Sequence, residues 1–346
     1  MIAPPTNPLH DPEHFLALGL QLAQSKAGAL ALSLADRATA LHSDDPLWQA
    51  LASAVRRGEI PDFHVRMLHD QRRNAAYRQA IERFAPGRRV LDIGTGSGLL
   101  AMMAARAGAK RVYACEENAM LAAAARTVIA ANGLADRITV FDRHSGTLDR
   151  MRDLDGGVDL VVSEIFSHCV VGEGVLESLA HARAHLAAPG AIFLPERASI
   201  MVALADFPPL VESVDTVEGF DLSAFSPHLQ VKRYLWPDHP ALALRSAAAR
   251  QFLFDFGAGD PPLTAASTCE LVSSGGMISG LAQWLHLHFA DDISYENRPG
   301  STPDLHWAIN LTPAQRHESA PGAAYTAGGW YSRATLINWC QLAEQD

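Results

Sequence analysis

The spacing of hydrophobic positions predicts helices at the start of the chain. In residues 15–34 and 46–55, apolar side chains recur every three or four positions, as on the buried face of a helix. We therefore predict a helical extension over residues 1–60, with a packing or interaction role.

Short apolar runs alternate with helix-like segments over residues 61–192. The strand-like runs lie at 89–93, 111–115, 138–141 and 158–162. Strand–helix alternation with short connections predicts an α/β fold with a doubly wound, Rossmann-like parallel sheet.

Residues 193–346 follow a different pattern. Helical spacing largely disappears, and strand-like stretches such as 283–289 and 306–311 are separated by clusters of Pro, Gly, Asp and Ser. Within 283–289 the two faces of the strand separate cleanly, with an apolar residue at every second position. We predict a second, antiparallel β domain that begins near residue 193.

Charge and composition narrow the classes of function. The formal net charge is -10, and an acidic chain repels phosphate backbones while it attracts a cationic substrate. No apolar run is long enough for a membrane span, and the first ten residues lack the regions of a secretory signal. We expect a cytoplasmic protein that binds neither nucleic acid nor membrane.

The cysteines and histidines do not predict a metal site. The four cysteines form no CxxC pair. His286 and His288 lie two apart, but no carboxylate or cysteine stands beside them at metal-ligand spacing. We interpret the two histidines as part of a partly exposed strand face and expect no bound metal.

A glycine-rich segment follows the first predicted strand and precedes a helix. Glycines at positions 94, 96 and 98 allow positive φ and a close approach of backbone to a ligand. The helix N-terminus that follows offers free N–H groups and a partial positive charge. Glu116 ends the next predicted strand, where an acid can accept hydrogen bonds from both hydroxyls of a ribose. The sequence therefore predicts a nucleoside site.

The spacing of these residues favours one class of nucleoside cofactor. Dinucleotide-binding folds use GxGxxG, whereas this segment reads GxGxG with Asp92 two residues before the first glycine. An acid there would repel a pyrophosphate and suits the amino acid end of a cationic cofactor. The segment resembles motif I of the class I methyltransferases, and we predict that S-adenosylmethionine is the cofactor.

Three further segments extend the resemblance. Glu164 and Glu173 stand nine residues apart after the fourth predicted strand, at the sheet edge where open α/β sheets bind ligands. Residues 64–74 precede the first strand, and Leu305-His306-Trp307 lies in a candidate strand of the β domain. Together with motif I, these segments resemble the protein arginine N-methyltransferases over residues 61–340.

This resemblance implies a β-barrel as the second domain, a homodimer with a dimerisation arm near residues 219–225, and a set of site residues. The implied catalytic residues are Glu164, Glu173, His306 and Asp70; the cofactor-binding residues are His64, Met67, Arg73, Asp92, Gly94, Gly96, Gly98, Glu116 and Ser145; and the substrate-binding residues are Glu164, Glu173 and Trp307. Arg73 would pair the cofactor's carboxylate, and Ser145 with His144 would lie near its adenine. Whether His306 and Asp70 move a proton or only shape the pocket stays open.

The chemistry of arginine explains why two acids are needed. A guanidinium is planar, and its charge is delocalised over three nitrogens, so it is a poor nucleophile. Two carboxylates can fix its plane and draw positive charge away from the nitrogen that faces the methyl group. The first hypothesis is therefore methyl transfer from S-adenosylmethionine to an arginine of a protein or peptide.

Two other hypotheses stay open. Ile165-Phe166 and Ser167-His168 replace a more aromatic loop of many family members, which favours a small guanidino compound or another biosynthetic substrate. The helical extension at residues 1–60 favours a non-catalytic scaffold that binds the cofactor and docks a partner.

Overall fold

The computed structural model describes residues 7–25, 27–57, 63–209, 215–228, 233–301, 303 and 305–342. The described residues form two compact units. The first unit comprises those within Met1–Val65, Tyr77–Glu164 and Ala180–Leu194, and the second comprises those within Arg66–Ala76, Ile165–Leu179 and Pro195–Asp346. The domain bounds inferred from the sequence, 1–60, 61–192 and 193–346, stay a prediction.

The α-helices lie mainly in the first half of the chain. They are α1 (Pro12–Ala23), α2 (Gly28–Leu41), α3 (Pro46–Arg56), α4 (Phe63–His69), α5 (Gln71–Phe84), α6 (Leu99–Arg106), α7 (Ala119–Ala131) and α8 (Val175–His181). A π-helical turn, Ala182–Leu186, directly follows α8. Within the described ranges, no helix has the length and apolarity needed to cross a membrane.

Helices α1 to α3 confirm the predicted N-terminal helices and join the core of the first unit. The side chains of Asp11 and Asp45 accept hydrogen bonds from the first turns of α1 and α3, which satisfies backbone N–H groups that a helix start leaves open. Phe15 and Trp48 are buried in one apolar cluster that also contains Met120 of α7. The extension is therefore packed against the sheet-bearing part of its unit.

The parallel sheet of the first unit contains β1 (Arg89–Ile93), β2 (Arg111–Cys115), β3 (Ile138–Phe141), β4 (Val158–Ser163) and β5 (Ala187–Leu194). Among the described residues its order is β3-β2-β1-β4-β5, and every pairing in it is parallel. The chain runs outward from β1 through β2 to β3, and then returns to pair β4 with β1. This reversal creates a topological switch point at the carboxyl end of β1, where α/β sheets bind ligands.

The second unit is antiparallel. Its strands are β6 (Arg197–Asp206), β7 (Thr216–Val217), β8 (Phe220–Asp221), β9 (Tyr234–Leu235), β10 (Ala243–Leu244), β11 (Ala249–Asp255), β12 (Thr264–Val272), β13 (Gly276–Ala290), β14 (Ile293–Glu296), β15 (Ile309–Ser319), β16 (Ala324–Ser332) and β17 (Leu336–Leu342). In the part of the chain that is described, β13 pairs with β6, β14 and β15, and a separate sheet has the order β12-β16-β17.

The long strand β13 provides much of the core of this unit. Trp284, Leu285 and Phe289 are buried almost completely. β6 and β15 pair with the two edges of β13, and Trp284 packs in an apolar cluster with residues of both strands. An α/β domain with helices at its N-terminus and a second, antiparallel β unit confirm the fold class predicted from the sequence.

Candidate active site

The glycine loop after β1 lies at the switch point and is held by the end of β2. The backbone N–H groups of Gly94 and Thr95 both donate to the carbonyl oxygen of Cys115, at 2.9 and 3.0 Å. Gly94, Gly96 and Gly98 have φ values of 73°, 52° and 84°, a left-handed conformation that costs glycine little. The predicted turn therefore exists, and all three glycines are needed for its backbone.

Asp92 holds this loop against the helix that follows. Its carboxylate is buried, and Oδ2 accepts hydrogen bonds from Thr95 Oγ1 at 2.6 Å and from the backbone N–H of Ala101 at 3.1 Å. Asp92 thus fixes the loop to the first turn of α6. Its contact with the cofactor's amino acid end stays a prediction.

Glu116 lies beside the loop at the end of β2. Its Oε2 accepts from the N–H of Gly96 and its Oε1 from the N–H of Asn118, each at 3.0 Å. Two backbone donors fix the carboxylate, and each oxygen keeps a further lone pair for a hydroxyl. This arrangement suits a ribose that presents two adjacent hydroxyls.

Ser145 follows β3, the strand that pairs with β2. It is 2% exposed, and its hydroxyl has no hydrogen-bond partner within the described part of the chain. His144 Nδ1 accepts from the N–H of Gly146 at 3.0 Å and so shapes the turn that holds Ser145. A buried hydroxyl of this kind fits a polar ligand group such as an adenine nitrogen, because leaving it without a partner is unfavourable.

His64 is placed against the same loop. A Cβ added to Gly96 would lie 3.7 Å from Cε1 of the imidazole. Burial lowers the pKa of His64, so the ring is neutral at pH 7 and adds no positive charge beside a cationic cofactor. The residues of the first unit therefore fit a nucleoside that carries a cationic amino acid.

Asp70 is the centre of a buried hydrogen-bond cluster in the second unit. Its Oδ2 accepts from the hydroxyl of Tyr295 at 2.6 Å, from Nδ1 of His306 at 3.1 Å and from the backbone N–H of His306 at 3.2 Å. Its Oδ1 accepts from the backbone N–H of Arg73 at 2.9 Å. The structure thus brings together Asp70 and His306, as the resemblance implies.

The protonation states of this cluster follow from its burial. Burial raises the pKa of Asp70, but hydrogen bonds from His306, Tyr295 and backbone N–H groups outweigh it and leave that pKa below its usual value. Burial lowers the pKa of His306, against the opposing effect of Asp70. At pH 7 the carboxylate is therefore ionised and the imidazole neutral. A carboxylate can only accept, so Nδ1 carries the proton and Nε2 keeps its lone pair.

The predicted strand at 306–311 is wrong at its start, because β15 begins only at Ile309. His306 and Trp307 lie in the preceding loop, where side chains satisfy the backbone instead of a neighbouring strand. Asp70 accepts from the N–H of His306, and the buried side chain of Asn297 donates to the carbonyl oxygen of Trp307 at 2.9 Å.

Trp307 connects this loop to the segment that carries Glu173. Its ring lies 3.9 Å from that of His306, and its Nε1 donates to the carbonyl oxygen of Phe166 at 3.1 Å. Burial raises the pKa of Glu173, although part of its side chain is exposed. The second unit thus joins an aromatic ring to a segment that bears an acid, a combination that suits a flat cation.

The remaining predicted residues are divided between the two units. Glu164 directly follows β4 in the first unit, at the switch-point edge. Arg73 of the second unit is 2% exposed, and its Nη1 donates to Asn74 Oδ1 at 2.7 Å. Met67 is half-buried in α4. The roles of these residues toward cofactor and substrate stay predictions.

Three further residues of the second unit are not predicted from the sequence. Tyr295 and Asn297 support the Leu305–Trp307 loop, and Gln283 donates to the carbonyl oxygen of His168 at 3.0 Å. Tyr295 and Asn297 are two residues apart, a spacing that places both side chains on the same face of an extended segment. This spacing is the signal in the sequence that could have linked them. Across the described residues, no group of three or more His, Cys, Asp or Glu could hold a metal ion.

Comparisons with known proteins agree with this architecture. A family model described as ribosomal protein L11 methyltransferase (PrmA) matches residues 78–194. Two solved structures share the fold over 81% of this chain and 97% of their own. They are the Trypanosoma brucei PRMT1 enzyme-prozyme heterotetrameric complex with AdoHcy, at TM-score 0.68 and 22% identity, and protein arginine methyltransferase 10 of Arabidopsis thaliana, at 0.64 and 18%.

Relatives at higher identity show the family. Protein arginine N-methyltransferase 7 of Danio rerio is 41% identical over 169 residues, but the match covers 44% of this chain and only 25% of that protein. Arginine N(omega)-methyltransferase of Streptomyces achromogenes subsp. streptozoticus is 40% identical over 316 residues, covering 86% of this chain and 84% of that protein. The chain therefore belongs to the arginine N-methyltransferase family and is an S-adenosylmethionine-dependent methyltransferase.

Proposed function

We propose that this protein methylates a guanidinium nitrogen of arginine carried by a protein or peptide. The observation that supports it best lies in the second unit, where Trp307 is hydrogen-bonded to the segment that bears Glu173 and packs on the neutral ring of His306. An aromatic face, an acid and an uncharged base together suit a planar cation that must lose one proton when it gains a methyl group.

Each predicted residue has a proposed role. Glu164 and Glu173 pair with the guanidinium and fix its plane, as their spacing in the family motif suggests. In the cofactor site, Glu116 accepts from the ribose, Ser145 donates to the adenine and Arg73 pairs with the carboxylate. Bound S-adenosylmethionine supplies a methyl group already activated by its sulfonium, so the protein contributes alignment and electrostatics.

Replacing one acid tests this proposal. Glu164→Gln keeps the size of the side chain and removes its charge, so we expect methyl transfer from labelled S-adenosylmethionine to arginine-containing peptides to fall about 100-fold or more. Binding of S-adenosylhomocysteine, measured by calorimetry, serves as the control and should stay within about threefold. Equal labelling by variant and wild type would contradict the proposed pairing of Glu164 with the guanidinium.

A second candidate substrate is free arginine. The relative matched over most of both chains is named an arginine, not a protein arginine, methyltransferase, and that match is long enough to include residues of both units. Free arginine and an arginine-rich peptide, offered in parallel at equal concentration, separate the two candidates. Mass spectrometry that finds methylated arginine and unmodified peptide would select free arginine as the substrate.

The protein is also proposed to work as a homodimer. In the first unit, α5, α6 and the end of α7 form a surface groove of about 480 Å³. Its apolar lining includes Leu99, Met102 and Met103, and charged side chains of α5 and α6 line much of the rest. In the second unit, Phe220 and Phe225 within residues 219–225 are 71% and 56% exposed. We propose that this segment of one protomer occupies the groove of its partner, which would cover apolar surface on both.

A cytoplasmic location is likewise a proposal. All four cysteines lie in described parts of the chain and are free thiols, and free thiols persist in reducing compartments.

A further inference from the structure

Tyr295 makes the shortest contact in the buried cluster around Asp70. Its hydroxyl lies 2.6 Å from Asp70 Oδ2, whereas His306 Nδ1 lies 3.1 Å from the same oxygen. Because a carboxylate oxygen offers about two lone pairs, the phenol competes with the imidazole for electron density on Oδ2. The strength with which Asp70 holds His306 therefore depends on Tyr295.

The position of Tyr295 is fixed by its surroundings. It is 3% exposed and belongs to β14, in which it pairs with Leu287 of β13. Its ring lies 5.5 Å from that of Trp307. Two residues later, Asn297 is fully buried and hydrogen-bonds both the N–H of Leu285 and the carbonyl oxygen of Trp307. The segment from Tyr295 to Asn297 thus holds the loop of His306 through its contacts with Asp70 and Trp307.

Charged side chains near the cluster affect the protonation of Tyr295 and His306. Within the described part of the second unit, Arg72 and Arg73 of α5 act on Tyr295, and Arg73 also acts on His306. The Asp70 carboxylate accepts from two side chains, Tyr295 and His306, and of these two only His306 can take up a proton to become a cation. Burial and the Asp70 carboxylate raise the pKa of Tyr295, so the phenol stays a hydrogen-bond donor at every pH of interest.

We propose that Tyr295 is a positioning residue for the methyl-transfer reaction. By donating to Asp70 Oδ2, it fixes the carboxylate and limits how strongly that carboxylate can stabilise a proton on His306. The imidazole then remains uncharged toward a cationic substrate. This role rests on the proposed function, since an uncharged His306 matters because the substrate is a cation.

Tyr295→Phe tests the proposal, with Tyr331→Phe as a matched control. Both tyrosines are 3% exposed and lie in the second unit, and Tyr331 donates to the carbonyl oxygen of Pro262 at 2.9 Å. Imidazole NMR of the full-length protein gives the titration of His306, assigned with a His306→Gln variant. We expect its midpoint to rise by about one pH unit in Tyr295→Phe and to stay unchanged in Tyr331→Phe.

The pH profile of activity separates positioning from simple loss of structure. In Tyr295→Phe the acid limb of kcat/KM should move to higher pH with the His306 titration, with a loss of about 10-fold below the limb and recovery to within about threefold above it. An unchanged His306 midpoint, an equal change in Tyr331→Phe, or a loss that is the same at every pH would overturn the proposal. If the wild type methylates neither arginine nor peptide, the proposed function fails, while the His306 titration still decides the role of Tyr295.

Discussion

At the scale of single residues, the buried side chains of the active site differ in how their polar atoms are satisfied. Asp92 and Glu116 already accept hydrogen bonds from the glycine loop or its neighbours, so part of their effect is to hold the loop in shape. The Ser145 hydroxyl makes no hydrogen bond to any of the described residues. This hydroxyl is therefore the better probe of cofactor binding, because removing it leaves the protein's own bonds intact.

We expect Ser145→Ala to weaken binding of S-adenosylhomocysteine about 3- to 10-fold, the range of one neutral hydrogen bond. The thermal midpoint of the free protein should not fall, because the buried hydroxyl has no partner to lose. Calorimetry and thermal unfolding measure the two effects. Ser199→Ala is the matched control, since Ser199 is 1% exposed and its hydroxyl also has no partner among the described residues, but it lies in the second unit. Equal affinity in wild type and Ser145→Ala would place the adenine elsewhere.

At the scale of elements, the sequence predicts best what depends on neighbouring residues. The glycine loop, the strand before it and Glu116 could be predicted because a strand, a turn and a helix follow one another directly along the chain. The Asp70 cluster could be placed only through the family resemblance, since its members come from α5's N-terminus, β14 and a loop more than 200 residues away. Strand β15 begins at Ile309 and not at His306, because the side chain of Asn297 hydrogen-bonds the Trp307 carbonyl in place of a neighbouring strand. The local alternation of apolar and polar residues cannot predict that contact.

The helical extension offers a prediction at this scale. A Cβ added to Gly28 at the start of α2 would lie 2.5 Å from Met120 Cγ and 2.9 Å from its backbone N. The backbone of α7 cannot yield as a flexible side chain could, so Gly28→Ala should separate α2 from α7 and lower the free energy of unfolding by about 1–3 kcal/mol. Urea unfolding measures this loss. Gly259→Ala, whose Cβ would have nothing within 4 Å, should change stability by less than about 0.5 kcal/mol.

Comparable stability of the two glycine variants would mean that α2 is not packed on α7 as described. A loss confined to Gly28→Ala would instead support an extension that is part of the cofactor-binding unit. In that case the helical extension would no longer support the scaffold hypothesis, because packing within the first unit would explain residues 1–60 without a docked partner.

At the scale of the whole molecule, one chain carries both a groove lined in part by apolar side chains and an exposed apolar segment. The groove belongs to the first unit and contains Met102 and Met103, flexible side chains that adapt to the shape of a partner. The segment belongs to the second unit and exposes Phe220. Two-fold symmetry would use each surface twice, so one substitution removes two contacts per dimer.

We therefore expect light scattering at micromolar concentration to give twice the mass of one chain for the wild type and the mass of one chain for Phe220→Glu. Burying one phenylalanine ring stabilises an interface by about 1.5–3 kcal/mol, and a buried glutamate without a partner adds a further cost. Met103→Glu should act in the same way from the groove side. Leu47→Glu, at a leucine 54% exposed on α3, should remain dimeric. If Phe220→Glu stays dimeric while Leu47→Glu dissociates, the interface lies on the N-terminal helices, and the groove of the first unit has another occupant.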